Sequence, residues 1–229
     1  MHYLYKDAAQ APAERLAPAH AHLLRGFRSR VVPPEVSPAF STGWSHVAPI
    51  VDMPTYLPWL ERLVAALGGT LRWGVSASSL VDARGNAPLV VNCAALGAAQ
   101  LCGDGALTPV RGVKVYVRCE GVTDVYAQEP RDAEMPYFTT VTPRARAGEV
   151  ALSGIVQPGA TSLTVTDEEV AEILRRCTAL LPALRGAPVV GTWAGLRPLR
   201  AADAGGVRLE AEEIEGATVV HNYGCGGVA

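Results

Sequence analysis

The sequence predicts an α+β protein built on a mixed, largely antiparallel sheet with flanking helices. Three observations carry this. Between residues 112 and 154, β-branched runs of strand length alternate with turn residues. One helix, Thr166–Leu181, has both of its ends marked. Over 229 residues, 49% hydrophobic and 18% charged composition is that of a chain able to bury a core.

The elements follow in order. Met1–Phe40 is rich in alanine and carries Pro12, Pro18, Pro33, Pro34 and Pro38. Leu16, Leu23 and Leu24 suggest a short amphipathic helix around Glu14–Arg25, and the later prolines make the rest a surface loop. This segment, 1–40, is therefore set apart from a main domain over 41–229. Thr42–Val51 reads as strand with a bend at Pro49. Asp52 caps a helix with Pro54 in its first turn, Leu57, Leu60, Leu63, Val64 and Leu67 on one face, and Gly68-Gly69 as its end. Leu71–Gly74 and Leu89–Asn92 are short strand candidates separated by the turn residues of Asp82–Asn86, and Ala94–Leu101 suits a helix. Val113–Val117, Val122–Tyr126, Tyr137–Val141 and Val150–Gly154 are strands. In Thr166–Leu181, Thr166 and Glu169 form a capping box and Pro182 follows the last turn. Val189–Trp193 and Val219–Val220 close the chain as strand cores. There is no internal repeat and no linker that cuts the chain in two.

Composition narrows the function. With 20 basic and 22 acidic residues the formal charge is −2, and no basic stripe offers a nucleic-acid footprint. Five cysteines with no C-x-x-C pair argue against a disulfide framework or a structural zinc site and fit a reducing cytosol. No apolar run approaches membrane-spanning length. The expectation is a soluble, cytoplasmic protein with no metal, membrane or nucleic-acid partner.

Two C-terminal runs hold the chemistry. Gly-Leu-Arg-Pro-Leu-Arg at 195–200 sets Arg197 between Leu196 and Pro198, an apolar setting for a guanidinium. A buried arginine needs a carboxylate, a phosphate or carbonyls. Val-Val-His-Asn-Tyr-Gly-Cys-Gly-Gly at 219–227 leads from a strand into a turn with Gly224, Gly226 and Gly227. Such a turn lets backbone N–H groups approach a flat or anionic ligand. The plainer readings are that Arg197 pairs with a core carboxylate, that Tyr137 is strand packing, that His221 is a satisfied structural histidine, and that the glycines only tighten a turn.

These runs, with Gly26-Phe27-Arg28, Gly43-Trp44, Val51–Leu57, Val91-Asn92-Cys93, Pro109–Gly112, Pro136-Tyr137 and Leu152–Gly154, resemble the D-amino-acid oxidase family of FAD-dependent enzymes. The resemblance implies FAD-dependent oxidative deamination of a D-amino acid to a 2-oxo acid, with ammonia and hydrogen peroxide, and molecular oxygen as co-substrate. It also implies that Arg197 grips the substrate carboxylate with two hydrogen bonds and that Tyr137 donates to the same group. His221, Asn222, Tyr223, Gly224, Gly226 and Gly227 would line the flavin, and Val91, Asn92 and Cys93 its ADP side. Arg111, Arg200 and Cys225 are left as structural or peripheral.

The pattern departs from the family in places. The family's opening strand, Gly-rich turn and helix bind the FAD diphosphate, whereas before Gly68 the only glycines here are Gly26 and Gly43. Ala94-Ala95 replace a Thr-Gly pair, Val113 a glutamine, and Ala133 stands near a second tyrosine of the family. Both ends of the cofactor cradle are expected to be missing. Alternatives are a flavin-free paralogue that binds amino or carboxylic acids without turnover, or one part of a split flavoenzyme whose partner chain supplies the dinucleotide-binding unit.

Overall fold

The computed structural model describes residues 1–5, 21–31, 40–128, 138–146 and 148–226. The strands are β1 (His2–Tyr5), β2 (Arg28–Val31), β3 (Thr42–Ser45), β4 (Leu89–Asn92), β5 (Leu107–Arg118), β6 (Tyr126–Gln128), β7 (Thr139–Pro143), β8 (Glu149–Pro158), β9 (Val189–Arg200), β10 (Arg208–Ile214) and β11 (Ala217–Tyr223). The helices are α1 (Met53–Ala66), α2 (Leu80–Arg84), α3 (Ala98–Cys102) and α4 (Asp167–Leu180). Among the described residues one sheet has eight strands in the order β2-β3-β1-β6-β7-β8-β5-β9, and a second has three in the order β10-β11-β4. Antiparallel pairs prevail among the described strands, with β1 parallel to β6 and β4 parallel to β11. The α+β expectation with a mixed sheet holds.

Contacts divide the chain into two interleaved units: Met1–Trp59, Gly112–Val156 and Leu163–Ala194 form the first, and Leu60–Arg111, Gln157–Ser162 and Gly195–Ala229 the second. The expected division at residue 40 is not where the chain separates. Nor is the leading segment only helix and loop, since β1 and β2 lie within it. Tyr3 in β1 opposes Trp44 in β3 and Ala127 in β6. Those partners are far away in sequence, and a four-residue strand held by distant neighbours leaves little local signal. Residues 14–20 of the expected leading helix lie outside the described residues, and Ala21–Leu23 is a 3₁₀ turn.

In the first unit, α4 covers the sheet. Its start is the expected capping box: the Glu169 N–H donates to Thr166 Oγ1 at 3.3 Å and the Thr166 N–H to Glu169 Oε2 at 3.1 Å. Ile173, Cys177 and Leu180 recur at helical spacing and are fully buried with Val113, Val115, Val117, Val141 and Leu152. Each such side chain contributes about 1.5–3 kcal/mol through burial. On the outer side Glu172 accepts from Arg175 and Arg176, at 2.7 and 2.5 Å. Hydrogen bonds from Arg175, then Arg176, hold the Glu172 carboxyl down to about 2 against the opposing effect of burial.

Helix α1 begins as expected, with the Asp52 carbonyl accepting from the Thr55 and Tyr56 N–H groups. None of its side chains is buried, however, so the stripe of Leu57, Leu63 and Val64 stays exposed. Leu71–Gly74 is not a strand: Trp73 is 75% exposed and the segment joins neither sheet. Gly68 and Gly74, at φ +84° and +69°, turn the chain on either side of it.

In the second unit, β4 and β11 align Val90 with Val219 and Asn92 with His221, and β10 pairs Glu210 with His221. Alternation gives the three-stranded sheet two faces. One carries Asn92, Val219, His221 and Tyr223, all buried. The other carries Leu89, Val91 and Leu209, exposed at 55%, 56% and 72%.

Candidate functional site

The buried face of the small sheet holds a polar network. Asp104 follows α3, just beyond the left-handed Gly103 (φ +64°). One of its oxygens, Oδ2, accepts from Arg200 Nε at 2.8 Å and from the Tyr223 hydroxyl at 2.9 Å. The other accepts from the Ala106 N–H at 3.0 Å. Burial pushes this carboxyl up, but the hydrogen bonds from Arg200, Ala106 and Tyr223 and the Arg200 charge outweigh it and hold it below the usual range. Arg208 donates to the Tyr223 hydroxyl at 3.0 Å and to Glu210 at 2.6 Å, which raises its own pKa. Arg200 also donates to the carbonyls of Ala204 and Gly206. It is therefore a structural tie, as is Arg111, whose guanidinium is spent on the Ser162 carbonyl and the Gln157 side chain.

The turn after β11 is bound to the end of β9. The Arg200 N–H donates to the Gly224 carbonyl at 3.1 Å, and the Gly226 N–H to the Pro198 carbonyl at 2.8 Å. Leu199 and Cys225 form an antiparallel bridge between them. Gly224 and Gly226 have φ of +88° and +65°, and a Cβ on Gly224 would stand 2.7 Å from Arg200 Cβ. Close approach to β9 thus requires glycine at 224, and the Gly226 donor is already committed. The turn is pinned to the residues that follow Arg197 on the strand.

Arg197 is half-buried, and its Nη1 is fully buried with no hydrogen-bond partner among the described residues. An unmet buried donor costs about 1–3 kcal/mol. The acceptors a guanidinium pairs with best are carboxylates and phosphates.

The family model described as FAD dependent oxidoreductase matches residues 2–229. The chain belongs to that family. It is 40% identical over 219 residues to a D-amino-acid oxidase of Rubrobacter xylanophilus, covering 95% of this chain and 63% of that protein. It is 40% identical over 187 residues to a D-amino-acid oxidase of Streptomyces coelicolor, covering 80% of this chain and 54% of the relative. Among solved structures, glycine oxidase from Geobacillus kaustophilus superposes with a TM-score of 0.77 at 19% identity, over 98% of this chain and 65% of that one. That likeness shows a shared fold.

Within the chain the predicted residues fall into distinct groups. Tyr137 and Gly227 lie outside the described residues. Gly224 and Gly226 bond to Arg200 and Pro198 at the end of β9, the strand that also carries Arg197. Val91, Cys93 and Asn222 are exposed. Asn92 and His221 are buried and spend polar atoms on each other, with Asn92 Nδ2 at 3.2 Å from His221 Nδ1. Tyr223 is buried with its hydroxyl spent on Asp104 and Arg208. Asn92, His221 and Tyr223 therefore shape the sheet, while Val91, Cys93 and Asn222 stay open at its surface. The orphaned Arg197 Nη1 fits an acidic ligand, whereas the Gly226 N–H is already bonded to the Pro198 carbonyl. The described residues include no strand–glycine turn–helix unit for the diphosphate. Asp104 and Arg208 escaped sequence analysis; an acid between Gly103 and Gly105 and a cation opening β10 gave no motif to read.

Proposed function

We propose that this chain carries the carboxylate-binding and flavin-facing part of a D-amino-acid oxidase. The reaction takes a D-amino acid to its imino acid, which water converts to a 2-oxo acid and ammonia, while oxygen is reduced to hydrogen peroxide. The buried, unpartnered Nη1 of Arg197 carries this reading. Arg197 holds the substrate carboxylate through a planar fork of donors, and Tyr137 adds a hydroxyl donor to the same group. Fixing that end of the substrate sets the orientation of its Cα–H bond. FAD, when bound, supplies the two-electron acceptor for oxidation at that carbon. The turn at Gly224–Gly226 forms the wall that the ring faces.

The dinucleotide-binding unit comes from a segment or partner chain that packs on the three-stranded sheet. An apolar sheet face open to solvent is a surface that another segment or chain covers. Here the parallel pair β4–β11 has one face bearing exposed Leu89 and Val91, with Leu209 beside them on β10. β4 is an edge of its sheet among the described residues. The chain also spans only 63% of the Rubrobacter relative's length.

Gel filtration with FAD, followed by a peroxide assay on D- and L-amino acids, tests the reading. Co-eluting flavin with peroxide from D-amino acids alone supports it. A colourless protein that binds benzoate through Arg197 keeps the carboxylate site and assigns flavin binding to the covering unit. Failure to bind either flavin or benzoate overturns it.

A further inference from the structure

A second group of reactive side chains lies on the buried face of the small sheet. Cys102, the last residue of α3, is half-buried, and its Sγ is 3.8 Å from His221 Nδ1. On the other side of the imidazole, Nε2 is 2.7 Å from Glu212 Oε1 on β10. Asn92 Nδ2 reaches Cys102 Sγ at 3.1 Å and His221 Nδ1 at 3.2 Å. The amide orientation follows from its other end, where Asn92 Oδ1 accepts from the Ala94 N–H at 3.1 Å. Asn92 is then the donor to Nδ1, so Nδ1 carries the lone pair and Nε2–H donates to Glu212. The ring of Tyr223 stands edge-on to the imidazole at 5.8 Å.

Thiol, imidazole and carboxylate thus stand in the order nucleophile, base and orienting group. We propose that Cys102 is a base-activated thiol oxidised by hydrogen peroxide to a sulfenic acid. The Cys102 proton passes to His221 Nδ1 as the Asn92 hydrogen bond to that nitrogen opens; Glu212 then faces the imidazolium, and Asn92 keeps its N–H donation to the sulfur. The sulfur attacks one peroxide oxygen, forming S–O as O–O breaks. The departing hydroxide takes the proton from the imidazolium and leaves as water, so sulfur loses two electrons and peroxide gains them. Cys177 is the contrast within the same chain: it is fully enclosed, and burial pushes its thiol up to about 12. Peroxide is the by-product of the oxidation proposed above, but adding it from outside makes the thiol testable whether or not that oxidation occurs.

The test treats the purified protein with hydrogen peroxide, traps sulfenic acid with dimedone, and maps each cysteine by mass spectrometry. Cys102 should label about tenfold or more faster than the more exposed Cys93, because a positioned base outweighs access. His221→Gln and Glu212→Gln should each slow Cys102 about fivefold or more while leaving Cys93 unchanged. Glu212 is 43% exposed, so its variant serves if the buried His221→Gln does not fold. Equal rates at Cys93 and Cys102, or a Cys102 rate unchanged in Glu212→Gln, would overturn the proposal.

Discussion

Replacing Arg197 by methionine separates ligand binding from stability. Methionine keeps the apolar stem and removes a guanidinium whose Nη1 is buried without a partner. Relief of that unmet donor is worth about 1–3 kcal/mol to the free protein. For a chain of this size each kcal/mol moves the Tm by roughly 2–4 °C, so Arg197→Met should melt several degrees higher. Binding should move the other way. Two hydrogen bonds from a charged donor, at about 1.5–3 kcal/mol each, correspond to a loss of at least about a hundredfold in benzoate affinity. Differential scanning calorimetry and isothermal titration calorimetry on the same preparations give both numbers. A lower Tm with unchanged benzoate affinity would mean that the guanidinium serves the fold, and would refute the reasoning.

Gly224→Ala should destabilise the protein by about 2–3 kcal/mol, read as a lower Tm, because a positive φ costs ~1–2 kcal/mol and the new Cβ meets Arg200. Thr166→Ala removes half of the capping box on α4 and should cost about 1 kcal/mol in chemical denaturation. The Glu172 carboxyl is held down to about 2 in the folded protein. Its contribution is complete above the ordinary carboxylate range and is lost as pH falls from there towards about 2. Glu172→Gln should therefore flatten the fall in Tm over that acid window and lower the Tm near neutrality.

Helix α4 was fully legible, because Thr166, Glu169 and Pro182 mark its ends and Ile173, Cys177 and Leu180 its buried face by local spacing alone. The central strands were legible as β-branched runs, though β5, β8 and β9 proved longer than their apolar cores. Strand β10 was given no reading, because Glu210, Glu212 and Glu213 carry no apolar alternation; pairing with β11 makes it a strand. Leu71–Gly74 shows the converse, an apolar run that takes no strand partner. At the candidate site, Arg197 was visible from its apolar neighbours. The roles of Asn92, Cys102, Asp104 and His221 were not, because they depend on the parallel register of β4 and β11, which joins residues 129 positions apart. The glycine turn was recognised for its shape, but its packing against Arg200 is a tertiary fact.

A crystal structure of the protein soaked with benzoate puts the carboxylate clamp to the most direct test. The account predicts a benzoate oxygen about 2.7–2.9 Å from Arg197 Nη1, the distance of a charged hydrogen bond. Nη1 bonded instead to a carboxylate of the protein itself, with benzoate elsewhere or absent, would contradict it.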